Sequence, residues 1–118
     1  MAIPFCIIDS DATHIKYANL PFGELFRLDV SCQDNLPTIE EYHTSIMVMG
    51  FAPVEIDLVN FTAYLRNCFE TKKEFKSTRK LKDGRYFRLE VYPEDEHDIV
   101  VTYTDVTDLE KAVEEARR

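Results

Sequence analysis

The hydrophobic period of the sequence changes near Lys73, and this change limits the chain to a mixed α+β fold. Before it, residues 54–71 carry apolar side chains three or four positions apart, the spacing of a helix with one buried face: Leu58, Phe61, Leu65 and Cys68. After it the period is two, which predicts strands at 74–81 and 85–92. The intervening Lys82-Asp83-Gly84 favours a tight turn, so the two strands should form an antiparallel hairpin.

The first part of the chain predicts another hairpin and two short helices. Residues 4–9 and 13–18 have strand composition and a turn-forming cluster between them. Asn19 stands where a helix cap is needed, with Pro21 in the first turn. The sequence from Thr38 to Glu41 is a capping box that should open a helix to about Met49, after the loop at 29–37.

The last third of the chain predicts one more strand and one more helix. Residues 93–98 form an acidic loop, and the β-branched run at 99–104 is typical of a strand. Thr107-Asp108-Leu109-Glu110 has the pattern of a capping box, which predicts a helix from there to the end of the chain. The element order is β-β-α-α-α-β-β-β-α, an antiparallel α+β domain with a trailing helix.

Composition excludes several classes of protein. The 118 residues are 45% hydrophobic and 31% charged, which fits one globular domain and argues against disorder. The longest apolar run, 46–54, is too short to cross a bilayer, and no secretory signal opens the chain. The formal charge of −8 argues against a nucleic-acid partner, although a basic band lies at 66–88. Cys6, Cys32 and Cys68 lack a paired spacing, so we expect reduced thiols and a cytoplasmic protein.

Four motifs in this order resemble the PAS domain, a bacterial sensory module, over nearly the whole chain. They are F-C-I-I-D at 5–9, I-K-Y-A-N-L-P-F at 15–22, K-D-G-R-Y-F-R-L at 82–89 and V-V-T-Y-T-D-V-T-D-L-E at 100–110. The last is similar to the family's Asp-Val-Thr signature, where the final strand meets a signalling helix. Two departures are Ala12, where a glycine is common, and Glu94-Asp95-Glu96-His97 before the last strand.

The resemblance implies a five-stranded antiparallel sheet of order 2-1-5-4-3 with helices on one face. It divides the chain into a PAS domain at 1–105 and the start of a C-terminal signalling helix at 106–118. It also implies a small cavity between the sheet and the helix at 54–71. We expect this pocket to be lined by apolar residues from both sides: Leu58, Phe61, Leu65, Phe87 and Leu89.

The end of the last strand is the expected point of signal transmission. Thr107 should cap the trailing helix through its side-chain oxygen, near the backbone N–H of Glu110. Asp105 should pair with Arg85 or Lys82 of the adjacent hairpin, as an Asp–basic pair does in relatives with this signature. The helix itself presents an apolar seam: Leu109, Val113 and Ala116. This seam should pack either on the sheet of its own chain or against a second copy, and we expect a homodimer.

Cofactor signals in the sequence are weak, and we leave the cofactor unknown. Arg66-Asn67-Cys68-Phe69 has three residue types of the motif in photoactive flavin domains, but in a different order and on a different helix. Haem-binding PAS domains use a histidine of the long helix as the iron ligand, and residues 54–71 contain none. His14, His43 and His97 are better read as surface or core histidines, and no metal site is expected.

We therefore expect a regulatory module and not an enzyme. It would bind a small ligand or partner, dimerise, and signal through its C-terminal helix to an output domain after Arg118, of the histidine kinase (two-component) or cyclic-dinucleotide enzyme type. The alternative is a ligand-free PAS domain for dimerisation or protein docking. A small α+β enzyme, with Asp9 or Asp57 near Tyr17 or Tyr64 as acid or base, is less favoured because no nucleophile is paired with a base.

Overall fold

The computed structural model describes residues 3–51, 56–94 and 97–117, which form five strands and four helices. In chain order these are β1 (Phe5–Asp9), β2 (Ile15–Ala18), α1 (Leu20–Phe26), α2 (Ile39–Met49), α3 (Leu58–Thr71), β3 (Phe75–Lys80), β4 (Tyr86–Glu94), β5 (Asp98–Asp105) and α4 (Thr107–Ala116).

The strands form one antiparallel sheet with the order β2-β1-β5-β4-β3. The predicted α+β class and the strand order are therefore confirmed. Three hairpin connections account for most of this order, because antiparallel neighbours need only short turns: β1–β2, β3–β4 and β4–β5. The remaining contact joins β5 to β1, which makes β5 the central strand and leaves β3 at an edge.

The helices α1 and α2 begin at the capping residues that the sequence predicted. The side-chain oxygen of Asn19 accepts the backbone N–H of Phe22 at 3.1 Å, and the same oxygen accepts the N–H of Phe5 at 3.0 Å. At α2, Thr38 and Glu41 form the full capping box. The helix ends at Gly50, where φ is +85° and an added Cβ would lie 3.0 Å from Lys82 Cγ.

The start of α3 differs from the prediction of a helix over 54–71. The helix begins at Leu58, because Asp57 is extended and its carboxylate accepts the backbone N–H of Asn60 at 2.8 Å. Residues 54–55 of the predicted helix lie outside the described residues. Further along the chain, the predicted loop at 93–98 is shorter, because β4 continues to Glu94 and pairs with Asp98 of β5; residues 95–96 also lie outside the described part.

The hydrophobic core lies between one face of the sheet and α1 to α3. Phe87 and Val91 of β4 are buried and Leu89 is half-buried, so this strand turns its odd-numbered residues to the core, as predicted. Aromatic rings fill the centre, with centroids 4.8–5.7 Å apart: Phe22, Phe26, Tyr42, Phe51, Phe61, Phe87 and Tyr103. Such contacts favour a rigid centre beside any cavity.

Candidate functional site: a cavity and a strand-to-helix junction

A cavity of about 270 Å³ lies between the sheet and the helices α2 and α3. The sheet supplies Phe75, Arg79, Leu89, Val91, Val101 and Tyr103 from β3, β4 and β5. The helices and the segment that joins them supply Tyr42, Ile46, Phe51, Ile56, Phe61, Tyr64 and Leu65. Nearly all of this lining is apolar or aromatic, which is typical of a small-molecule site.

The five predicted pocket residues divide into two groups. Phe61, Leu65 and Leu89 line the cavity. Leu58 and Phe87 do not, and on this point the prediction is wrong. Leu58 is the first residue of α3 and packs against the core one turn before Phe61, while Phe87 is buried against the ring of Phe51, 5.7 Å between centroids.

The inner end of the cavity carries neutral hydroxyl groups. Tyr42 of α2 and Tyr103 of β5 are both 1% exposed, and their hydroxyls form a hydrogen bond. Burial raises the pKa of both tyrosines well above the usual range. Burial also raises the pKa of the Cys6 thiol, against the opposing effect of its hydrogen bond with Tyr42. This end therefore stays uncharged at physiological pH.

The β3 side of the cavity carries a cation. Arg79 faces inward from this edge strand, and its Nε atom is buried without a hydrogen-bond partner. Tyr64 and Phe75 stand on the same side in an edge-to-face pair 5.3 Å apart, and Tyr64 is 45% exposed. Burial raises the pKa of Tyr64, with Cys68 adding to the rise and Arg79 opposing it.

Arg79 and the two buried tyrosines were not predicted as site residues. The two-residue period of β3 could have placed Arg79 on the same face as Phe75, since the positions differ by an even number. The meeting of Tyr42 and Tyr103 could not be found in this way. It joins a helix to a strand 61 residues apart, and no local pattern links them.

The second feature is the junction between β5 and α4. The backbone N–H of Val106 donates to the carbonyl oxygen of Tyr86, the first residue of β4, at 2.9 Å. The N–H of Tyr86 in turn donates to Thr107 Oγ1 at 3.0 Å. The carboxylate of Asp105 accepts both the hydroxyl of Thr107 at 2.6 Å and its N–H at 2.9 Å. The start of α4 is thereby bound to both strands.

Two predictions about this junction are wrong. Thr107 does not cap α4, because its hydroxyl is occupied by Tyr86 and Asp105 and the N-cap residue is Val106, which makes no side-chain cap. No ion pair within 4 Å joins Asp105 to Arg85 or Lys82 in the part of the chain described. Arg85 pairs instead with Asp83 at 2.8 Å, two residues away in the turn, and Lys82 lies against Gly50.

The charge state of Asp105 follows from these contacts. The hydrogen bonds from the hydroxyl and N–H of Thr107 lower the pKa of Asp105, partial burial opposes them, and Arg85 contributes a smaller lowering. Arg85 does line the same surface hollow as Asp105 and Thr107. The basic residue thus acts on Asp105 through its charge at a distance.

The predicted seam of α4 is only partly covered. Leu109 is 54% exposed, Ala116 is exposed, and Val113 is half-buried in a groove with Tyr86 and Arg117. α4 therefore rests on the start of β4 along one side. Leu109 stays open for another contact.

Two aspartates, a cysteine and a histidine considered as candidates from the sequence make contacts elsewhere in the fold. Asp57 caps α3, and Asp9 accepts hydrogen bonds from Thr13 and His14 in the β1–β2 turn. Cys68 is buried near the end of α3, and His43 contacts the carbonyl oxygen of Ile56. Across residues 3–51, 56–94 and 97–117, no three His, Cys, Asp or Glu side chains converge on a point that could hold a metal ion.

No protein-family model matches the chain, and no curated protein matches it at a significant level. Within the described residues, every helix is too short or too polar to cross a bilayer.

Proposed function

We propose that the chain is a PAS-type sensory module that binds a small molecule in the cavity and transmits occupancy through α4. The strand order supports the PAS assignment, together with the four sequence motifs. Fold likeness alone does not define a function, so the proposal depends on the two features of the site.

The observation that carries the proposal is the short path from the cavity to α4. Tyr103 lines the cavity and Asp105, two residues further along β5, binds the first residue of α4. Leu89 also lines the cavity and pairs with Tyr103, while Tyr86 of the same strand binds Val106 and Thr107. A ligand that shifts β4 against β5 would change the direction in which α4 leaves the sheet.

Dimerisation through α4 completes the proposed module. Leu109 lies on the seam with Val113 and Ala116, and an isolated helix of about ten residues is marginal in water. A second copy would cover Leu109 and support both helices. The proposed output domain follows α4 and is of the histidine kinase or cyclic-dinucleotide enzyme type, and the proposed location is the cytoplasm.

One observation favours a ligand-free docking module as the second candidate. The cavity volume, about 270 Å³, lies just below the usual range of small-molecule pockets, about 300–1,000 Å³. In that case the fold would serve as a dimerisation surface with a loosely filled core.

Native mass spectrometry of the purified protein distinguishes the two candidates. Val101 lines the cavity, whereas its neighbour Val100 is on the opposite face of β5. The proposal predicts a bound small molecule that Val101→Phe removes by filling the cavity, and that the matched control Val100→Phe retains. Wild-type protein purified in its natural host at the bare mass of the chain would favour the docking module.

A further inference from the structure

An unpaired cation faces the apolar cavity. Arg79 lies on β3 opposite Phe87 of β4, and its Nε atom is buried with no hydrogen-bond partner. In the described residues the guanidinium also makes no ion pair within 4 Å. Buried donors in folded proteins are normally satisfied, so an exception needs a specific explanation.

Among the described residues that line the cavity, none carries a carboxylate that could pair with Arg79. Arg79 of β3 is paired with Phe87 of β4, and Phe87 is in turn paired with Asp105 of β5. Asp105 is two strands away, roughly 10 Å by the spacing of strands in a sheet. Its carboxylate is already bound to Thr107. An anionic ligand could therefore supply the partner that the described residues do not give to the Nε atom of Arg79.

The remainder of the lining defines what that partner can be. Arg79 is the one charged side chain among the described residues of the cavity, and the hydroxyls of Tyr42 and Tyr103 bind each other. A ligand that matches this lining has one negative charge and an otherwise apolar body. Six of the lining residues are aromatic, which favours a body with a ring: Tyr42, Phe51, Phe61, Tyr64, Phe75 and Tyr103.

Size and geometry restrict the class further. A volume of about 270 Å³ lies just below the range of about 300–1,000 Å³ for sites that take drug-sized ligands, so the ligand is a smaller molecule. A guanidinium group matches a carboxylate with two parallel hydrogen bonds. A phosphate dianion would leave one charge unmatched in a site with a single cation.

We infer that the ligand of this cavity is a small monocarboxylate with an apolar, ring-containing body, whose carboxylate binds Arg79. This inference rests on the proposed function, since it assigns a ligand class to the same cavity. It also explains why a cation is kept on the inner face of an otherwise apolar site.

Isothermal titration with two probes of equal size tests the inference. The probes are 3-phenylpropionate and 3-phenylpropanamide, which differ in the charge of the head group. The wild-type protein should bind the acid at least about tenfold more tightly than the amide, about 1.4 kcal/mol. Arg79→Met should remove this preference while amide binding persists. The control Arg88→Met, an exposed arginine of β4, should keep the preference.

The outcomes separate this inference from the proposed function. If the wild-type protein binds acid and amide equally, or if Arg79→Met keeps the preference, the carboxylate assignment is overturned and the cavity remains a ligand site. If neither probe binds the wild-type protein, the ligand class is overturned. If native mass spectrometry also finds no bound molecule, the proposed function fails with it.

Discussion

The hydroxyl oxygen of Thr107 accepts the backbone N–H of Tyr86 at 3.0 Å, across 21 positions of sequence. This bond joins the first residue of α4 to the first residue of β4. The same hydroxyl lies 2.6 Å from the carboxylate of Asp105, so it is held between two strands. Thr107 thus connects the sheet to the helix instead of capping the helix.

Replacing Thr107 with valine should weaken the junction without unfolding the domain. The backbone N–H of Tyr86 would lose its partner, and a half-buried donor left unsatisfied costs about 1–3 kcal/mol. Chemical denaturation measures this loss. Thr104→Val is the matched control, because Thr104 is a half-buried β5 residue with no side-chain hydrogen bond, and it should change stability by less than about 0.5 kcal/mol. Equal losses in the two variants would show that the Thr107 bond has no special role.

In a longer protein that carries the proposed output domain, we predict that Asp105→Ala and Thr107→Ala leave the domain folded and uncouple it from the output domain. Asp105→Ala removes both hydrogen bonds that its carboxylate accepts from Thr107, and Thr107→Ala removes the bonds of the hydroxyl to Asp105 and Tyr86. The activity of the output domain, measured with circular dichroism as a check on folding, tests this. Normal signalling by both variants would mean that the junction is a plain strand-to-helix connection.

The pH dependence of stability should carry a contribution from Asp105. Its pKa is lower in the folded protein, chiefly through the hydrogen bonds from Thr107. The unfolded carboxyl has a pKa of about 3.9, so the contribution is fully present above about pH 5 and is lost as the pH falls through the folded pKa. Asp9, Asp29 and Asp83 also have lowered pKa values, so the informative quantity is the difference between wild type and Asp105→Asn.

That difference should be constant between about pH 5 and pH 8 and should shrink below about pH 4. Urea denaturation at a series of pH values measures it. A difference that grows as the pH falls would contradict the assigned contacts of Asp105.

Arg79→Met should stabilise the empty protein. The substitution removes a buried donor that has no partner and replaces it with an apolar side chain of similar length, which fits the lining. We expect a gain of about 1 kcal/mol in the free energy of unfolding. The control Arg88→Met should change it by less than about 0.5 kcal/mol. A loss of stability in Arg79→Met would mean that Arg79 supports the fold itself.

Leu109→Asp should weaken self-association. Leu109 is 54% exposed on the proposed seam, and a carboxylate there would be buried without a partner in a dimer. Sedimentation velocity over a range of concentrations measures the effect. Val59→Asp, on an exposed face of α3, is the control and should leave association unchanged. A wild-type chain that is monomeric at high concentration would remove the proposed dimer.

Predictions based on a few consecutive residues were mostly correct. The Thr38–Glu41 capping box, the Asn19 cap and the turn before Arg85 depend on neighbours along the chain, and all three form. The pattern at Thr107 looked equivalent, and a helix does begin there, but the cap does not form because a more distant group, Tyr86, occupies the hydroxyl. Local sequence does not reveal this competition between a cap and a tertiary contact.

The candidate site was predictable in part for a related reason. Phe61, Leu65 and Leu89 were identified from helical and strand periods, which report the face of an element that is buried. These hydrophobic periods do not show which of the buried residues border the cavity. Phe87 was therefore misplaced, and Arg79 was overlooked although its position in β3 is on the same face as Phe75.

The central claim is that cavity occupancy reaches α4 through β5, and amide hydrogen exchange of α4 tests it without knowledge of the ligand. Val101→Phe fills the cavity from β5, and Val100→Phe adds the same bulk on the opposite face. The account predicts that exchange of the hydrogen-bonded amides of Val106, Thr107 and Glu110 changes several-fold in Val101→Phe and stays at the wild-type rate in Val100→Phe, at matched global stability. Exchange rates in α4 that are the same in both variants would contradict the account.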